Sequence, residues 1–275
     1  DPKNLDAMWG KGLALSFLHR EEEALACFEE ILEEYPKDYA VLFYKGQMLS
    51  GLRRYEEALV CFDEILGADP KNIPDQRDFL HDALSEKGIV LGRLGRYEKA
   101  LACFEELLKV NPKDYGALHN KGMALSTLGR EEESLMCYDE ILKMDPKHYG
   151  ALRNKGMVLA TSGREEEALA CFEELFKMDP KDYAILFYKG QMLSGLRRYE
   201  KALACFDEIL KADPKNYGAL RNKGGVLFTL HRYEEALVCY DEVLETDPND
   251  HNALYGKGLT LSRLDRSEEV LVCYD

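Results

Sequence analysis

Apolar and polar residues alternate along this chain with a helical period, and the whole pattern repeats every 34 residues. Counting from Gly12, Gly46, Gly88, Gly122, Gly156, Gly190, Gly224 and Gly258, each preceded by lysine, a leucine follows at three and an arginine at eight. A glutamate comes at ten, a small residue at twelve, leucine at thirteen, cysteine at fifteen, and Phe or Tyr at sixteen. Apolar positions at twelve, thirteen, sixteen, nineteen and twenty share one face of a helix with 3.6 residues per turn. The spacing also predicts a helix before it, from about six residues before each glycine to six after. Short turns such as Leu94-Gly95-Arg96 separate the two, and Asp-Pro or Asn-Pro closes most units, where Gly and Pro punctuate helices.

The prolines keep the same beat. Pro2, Pro36, Pro70, Pro112, Pro146, Pro180, Pro214 and Pro248 are spaced by 34 residues except for one gap of 42. That gap holds an eight-residue insertion, Ile73 to Leu80, which carries Pro74, a residue suited to the first position of a helix. The insertion is expected to lengthen the first helix of the third unit by about two turns. Residues 36–72 and 180–216 differ only at Val41/Ile185, Glu57/Lys201, Val60/Ala204 and Gly67/Lys211, the mark of a recent internal duplication.

Two helices per 34 residues, with a small residue, an aromatic and a closing proline at these intervals, resemble the tetratricopeptide repeat family over the whole chain. One departure is visible: the family's common Trp-x-x-Leu-Gly opening appears here as aliphatic-x-x-Lys-Gly, as in Leu118-His119-Asn120-Lys121-Gly122. The resemblance implies an all-α, right-handed α-solenoid (superhelix) of antiparallel helix hairpins. Its units would run 5–38, 39–72, 73–114, 115–148, 149–182, 183–216, 217–250 and 251–275, the last incomplete. Repeat arrays need polar capping units at their ends. The reading therefore expects a piece of a longer protein, with end-to-end self-association as one consequence.

Charge and chemistry narrow the function. A net charge of −15 opposes nucleic-acid binding that neutralises phosphates, and no apolar run is long enough to span a membrane. The eight cysteines sit at equivalent places on successive helices, too far apart for disulfides when packed helices lie about 8–10 Å apart. They read as buried thiols of a reducing, cytoplasmic compartment. Six histidines form no pair at metal-ligand spacing, and no nucleophile elbow, phosphate loop or dinucleotide fingerprint occurs. No enzyme, metal or cofactor is expected. The repeated Lys, Arg and Glu are expected to be scaffold, because a residue needed once for binding has no reason to occur in every unit.

In the resembled family the first helices line a concave face that holds ligands. The lining slots implied by that resemblance are six, three and two before the glycine and one, four and five after it. They hold Asp6, Asp82 and Glu86 against Arg93, Arg153, Arg221 and Arg263, a groove of about +1 within an acidic chain. Asn120, Asn154 and Asn222 share the slot two before the glycine. They resemble part of the asparagine ladder in the repeat domain of O-linked N-acetylglucosamine transferase, where amides grip an extended peptide. Capping or bridging of neighbouring helices is the equal alternative. Arg153 and Arg221 flank them as candidate carboxylate holders. Trp9, Leu13 and Phe17 form a stripe, followed by Phe43 and Tyr44 and, in the duplicate, Phe187 and Tyr188. These mark either a binding surface or packing against neighbouring helices. Lysine is absent from the lining slots, which disfavours the two-carboxylate clamp that reads chaperone tails. The sequence thus points to an interaction scaffold for a protein or peptide partner. An architectural, self-associating array and a substrate-recruiting accessory domain are its rivals.

Overall fold

The computed structural model describes residues 5–69 and 76–274, the side chains of 76–78, 272 and 274 excepted. Among these, sixteen helices run in order with no strand between them, an all-α solenoid of tandem hairpins. Contacts divide the chain into two compact units, Asp1–Pro146 and Lys147–Asp275. The first pairs α1 (Leu5–Phe17) with α2 (Glu21–Glu34) and α3 (Tyr39–Gly51) with α4 (Tyr55–Leu66). It continues with α5 (Gln76–Arg93) and α6 (Tyr97–Val110), then α7 (Tyr115–Thr127) and α8 (Glu131–Met144). The second pairs α9 (Tyr149–Thr161) with α10 (Glu165–Met178) and α11 (Tyr183–Gly195) with α12 (Tyr199–Ala212). It ends with α13 (Tyr217–Thr229) and α14 (Tyr233–Leu244), then α15 (His251–Arg263) and α16 (Ser267–Tyr274).

Each hairpin is held by the same local chemistry. The first helix starts at a capping side chain: Asp38, Asp114, Asp182, Asn216 and Asp250 each accept a hydrogen bond from a backbone N–H of the first turn. His148 does the same through its ring nitrogen at α9. The first helix ends where one residue turns left-handed, Gly95, Gly129 and Gly163 in three turns and His19, Arg53, Arg197, His231 and Asp265 in the others. The following arginine N–H then reaches back to the leucine carbonyl five residues earlier, as Arg54 does to Leu49 at 2.8 Å and Arg130 to Leu125 at 2.9 Å. This closure satisfies a carbonyl that the helix end would otherwise leave without a partner.

The anchor glycines explain how closely the two helices of a hairpin approach. A Cβ on Gly46 would lie 2.8 Å from the Phe62 ring, and one on Gly122 would lie 2.8 Å from the Tyr138 ring. Both rings are buried, and the same pairing joins Gly88 to Phe104 and Gly190 to Phe206. Around them the leucines three and thirteen residues on from each glycine, with the cysteines, fill the core of each unit. Leu271 on α16 is the exception among those leucines and is exposed. In α8 the small position is Ser134, fully buried, whose hydroxyl donates to the Gly122 carbonyl at 2.7 Å and so needs no water.

Charged residues tie hairpin to hairpin on the outside. In five of the units the lysine before the anchor glycine reaches an acid on the preceding second helix, Lys45 to Glu29, Lys87 to Asp63, Lys121 to Glu105, Lys223 to Asp207 and Lys257 to Asp241, whereas Lys189 lies over the Phe176 ring at 4.9 Å. The repeated arginine pairs within its own helix, as Arg54 does with Glu57 and Arg130 with Glu133, both at 2.6 Å. Where the partner position is lysine, at Lys99 and Lys201, the arginine turns to the previous hairpin instead. Arg96 then meets Glu56 at 2.5 Å and Arg198 meets Glu166 at 2.8 Å. One duplication difference, Glu57 against Lys201, is thereby enough to convert a local ion pair into one between repeats.

The lengthened helix is α5, 18 residues against 13 in the other first helices. Residues 73–75 of the insertion, Pro74 among them, lie outside the described residues. Its described part packs inward: the Phe79 ring lies 5.4 Å from that of Phe43.

Candidate functional site: the first-helix face

First helices of neighbouring hairpins approach one another within each unit, α3 with α5, α5 with α7, α11 with α13 and α13 with α15, more closely than second helices do. The acidic second helices meanwhile carry exposed glutamates engaged by the repeated lysines and arginines. The first-helix face carries several side chains that occur in only some units, among them Arg93, Arg153, Asn120, Asn154 and Tyr255.

The aromatic candidates are packed rather than displayed. Trp9 is half-buried, edge-on to Phe28 at 5.7 Å and to Tyr44 at 5.2 Å, and it forms one wall of a cavity of about 430 Å³ with Leu5, Asp6, Tyr35 and Asp38. Tyr44 stacks on Phe28, and Tyr188 stacks on Phe172 at 5.4 Å. Phe43 meets Phe62 and Phe79, while its duplicate Phe187 meets Phe206 and the backbone gap at Gly218, where a Cβ would lie 3.3 Å away. Phe17 differs from all of these, at 85% exposed on the last turn of α1.

The polar candidates divide in the same way. Arg221 donates to Asp250, the cap of α15, at 2.9 Å, so its charge is already met inside the protein. Asn222 donates to the Gly218 carbonyl of its own helix at 2.8 Å. Asn154 is half-buried on α9 beside Arg153, whose exposed guanidinium helps hold the Asp182 carboxyl below its usual range. Burial alone would push Asp182 up, but the Tyr149 hydroxyl and two backbone N–H groups outweigh it. Burial, and after it the same contact with Asp182, push Tyr149 up to about 12. Asn120 is half-buried and lines an open cleft of about 380 Å³ between α5 and α7, with Ile89, Gly92 and Arg93 on one side, Met123 on the other and Tyr97 of α6 below. Arg93 itself is exposed and donates to the Ser50 hydroxyl at 3.2 Å.

The caps of the first helices are the residues that reading the repeat passed over. Three of the caps also receive a side chain from the preceding first helix: His81 on Asp114 at 2.5 Å, Tyr149 on Asp182 and Arg221 on Asp250. The signal was present, since aspartate just before an apolar helical stretch is a favoured cap. All eight cysteines are buried and unbonded. Burial pushes the Cys239 thiol up to about 11, and Cys61, Cys103, Cys137, Cys205 and Cys273 in the same direction. Such thiols are poor nucleophiles and poor metal ligands. Among the described residues no group of three metal-ligating side chains gathers, and no helix is long and apolar enough to cross a membrane.

Stacked hairpins with glycine notches and a face of non-repeating side chains define a helical repeat protein of the interaction type. The chain belongs to the tetratricopeptide repeat family, whose models match residues 10–73, 81–114, 115–148, 162–217 and 193–251. No curated protein matches it. Among solved structures it is similar to a tetratricopeptide repeat protein from Parabacteroides merdae, at TM-score 0.66 and 18% identity over 94% of this chain and 98% of that one. The C-terminal part of a repeat protein from Cytophaga hutchinsonii aligns at TM-score 0.73 and 11% identity, covering 90% of this chain and 98% of that one. YrrB, a repeat protein described as having an unusual peptide-binding site, aligns at TM-score 0.52 and 24% identity over 66% of this chain and 90% of its own. At these identities the likeness is one of fold.

Proposed function

We propose that this protein is a binding scaffold that presents its first-helix face to a peptide segment of a protein partner and carries out no chemistry itself. The observation that carries this reading is the division of labour between faces. Many acidic side chains of the second helices are engaged in ion pairs, whereas Arg93, Arg153, Met123, Met157, Tyr255 and Leu259 of the first helices stay open to solvent. A face that mixes exposed cations with exposed apolar side chains suits an acidic, partly apolar peptide. That YrrB carries a peptide-binding site on a similar fold supports the reading. The chain's acidity, which would repel a polyanion, favours a protein over a nucleic acid.

The test is a pull-down with the isolated chain, compared with Arg93→Glu and Arg153→Glu on the first helices and Met136→Glu and Val238→Glu on the second. Captured partners are expected to vanish with the first pair and to persist with the second. Equal loss, or loss only with the second pair, refutes the assignment. Arg221→Glu is the wrong probe, because it would break the ion pair with Asp250. Self-association through the ends of the array is the competing reading. It predicts concentration-dependent assembly, seen in sedimentation, that survives Arg93→Glu.

A further inference from the structure

The slot four residues after the anchor glycine holds Ser16, Ser50, Gly92, Ser126, Ala160, Ser194, Phe228 and Ser262 along the chain. Five of the eight are serine, and Gly92 and Phe228 depart from that size furthest, in opposite directions. In α13 the slot carries a phenyl ring, Phe228, half-buried with its centroid 5.6 Å from that of Tyr233. In α5 the slot is Gly92, and a Cβ placed there meets nothing within 4 Å. Tyr97 stands nine residues from its anchor glycine, the position that Tyr233 holds in its own repeat. The α5–α7 cleft is therefore lined both by an open slot at Gly92 and by the tyrosine whose counterpart meets Phe228 elsewhere in the chain.

The rim has a definite chemistry. Arg93 is exposed, and its hydrogen-bond partner, the Ser50 hydroxyl, is neutral. No carboxylate pairs with it among the described residues. Glu86, the acid nearest in sequence on this face, is held by Gln47 at 3.0 Å. Asn120 supplies an amide, the Thr127 hydroxyl is already donating to the Met123 carbonyl at 3.0 Å, and the Met123 side chain, 48% exposed, forms an adaptable apolar wall. At about 380 Å³ the cleft lies near the lower end of the roughly 300–1,000 Å³ range of ligand sites, a size for one side chain and its adjoining backbone.

We propose that this cleft receives a phenylalanine ring from the partner peptide, against Tyr97 and Met123, with an acidic neighbour of that phenylalanine paired to Arg93. The proposal rests on the first-helix face being the binding face. Asn120 is placed to bond the peptide backbone through its amide, and ring-on-ring contact of the Phe228 kind supplies the shape selection.

The experiment uses the full chain labelled with ¹³C at methionine methyls, titrated with three capped tripeptides: Asp-Phe-Asp, Asp-Ala-Asp and Lys-Phe-Lys. Asp-Phe-Asp is expected to shift the Met123 methyl upfield in a saturable way, through the ring current. Asp-Ala-Asp should bind at least about tenfold more weakly, since it lacks the buried ring. Lys-Phe-Lys and the Arg93→Glu variant should each weaken the effect. Gly92→Phe should abolish it by filling the slot. That variant is expected to fold, because α13 already carries phenylalanine there, and an unchanged thermal transition and circular dichroism verify this. A Met123 shift that survives in folded Gly92→Phe, or no methyl shift at millimolar Asp-Phe-Asp, overturns the proposal. Saturable shifts at Met157 without any at Met123 also overturn it, yet leave the first-helix face as the binding face. Failure of the face as a whole would show instead in the pull-down.

Discussion

At the scale of single residues, the structure turns on competition for partners. The caps Asp182 and Asp250 occupy equivalent positions, yet one is claimed by Tyr149 and the other by Arg221. Sequence reading placed Arg153 and Arg221 in the same slot and treated them alike, and nothing in the repeat tells which donor wins a shared acceptor. Asn222 illustrates the same point, since its amide turns to the Gly218 carbonyl of its own helix. The glycine notches, by contrast, were plain in the sequence, because sterics allow only one answer there. Gly46→Ala would put a methyl 2.8 Å from a fully buried Phe62 ring and 3.3 Å from the Cys61 Cβ. It is expected to destabilise the protein by about 1–3 kcal/mol, the usual cost of overpacking. Urea unfolding would show this, and joining it to Phe62→Leu should cost less than the sum of the two.

At the scale of the helix and its turns, the repeat leaves some positions short of their optimum. Arg53 adopts a φ of 60° at the α3–α4 turn, where Gly95 and Gly129 serve in other hairpins. Replacing it with glycine removes the left-handed penalty while adding freedom to the unfolded chain. A net gain of roughly 0.5–1 kcal/mol is expected, read as a higher urea midpoint. The junction of α5 and α7 adds a pH dependence. Burial alone would lower the His81 pKa, but hydrogen bonds to Asp114 and Asp82 outweigh it and raise it above its ordinary 6.5. A raised folded pKa means that the contact stabilises fully below the unfolded value, and the gain is lost as pH rises through the folded one. Thermal stability should therefore fall as pH climbs past the ordinary histidine range, near 6.5, and His81→Ala should remove that part of the slope. The α5 extension was legible as an insertion of eight residues, close to two helical turns. Its packing of Phe79 on Phe43 was not, because the insertion occurs once and offers no second copy to compare.

At the scale of the whole molecule, repetition made the scaffold readable and the binding site obscure. A position present in every unit, such as the anchor glycine or the lysine before it, reveals its role by recurrence, and the ion pairs and notches follow that recurrence. A binding residue occurs once and must be judged against a background of similar side chains packed inward. The aromatic stripe at Trp9 shows the difficulty, since Trp9 packs on Phe28 and Tyr44 while Phe17, two turns on, faces solvent. The excess of acid on the second helices could be read from the sequence, but which cations of the first helices stay open could not, since Arg221 is paired with Asp250 and, among the described residues, Arg93 is not paired with an acid. Which face touches a partner is the point on which the binding role turns. A photo-crosslinking amino acid placed singly at Met123, Met157, Val60 and Val238, followed by irradiation with bound partner, decides it most directly. Adducts from Met123 or Met157, and none from Val60 or Val238, are the predicted result. Adducts only from Val60 and Val238 would contradict it.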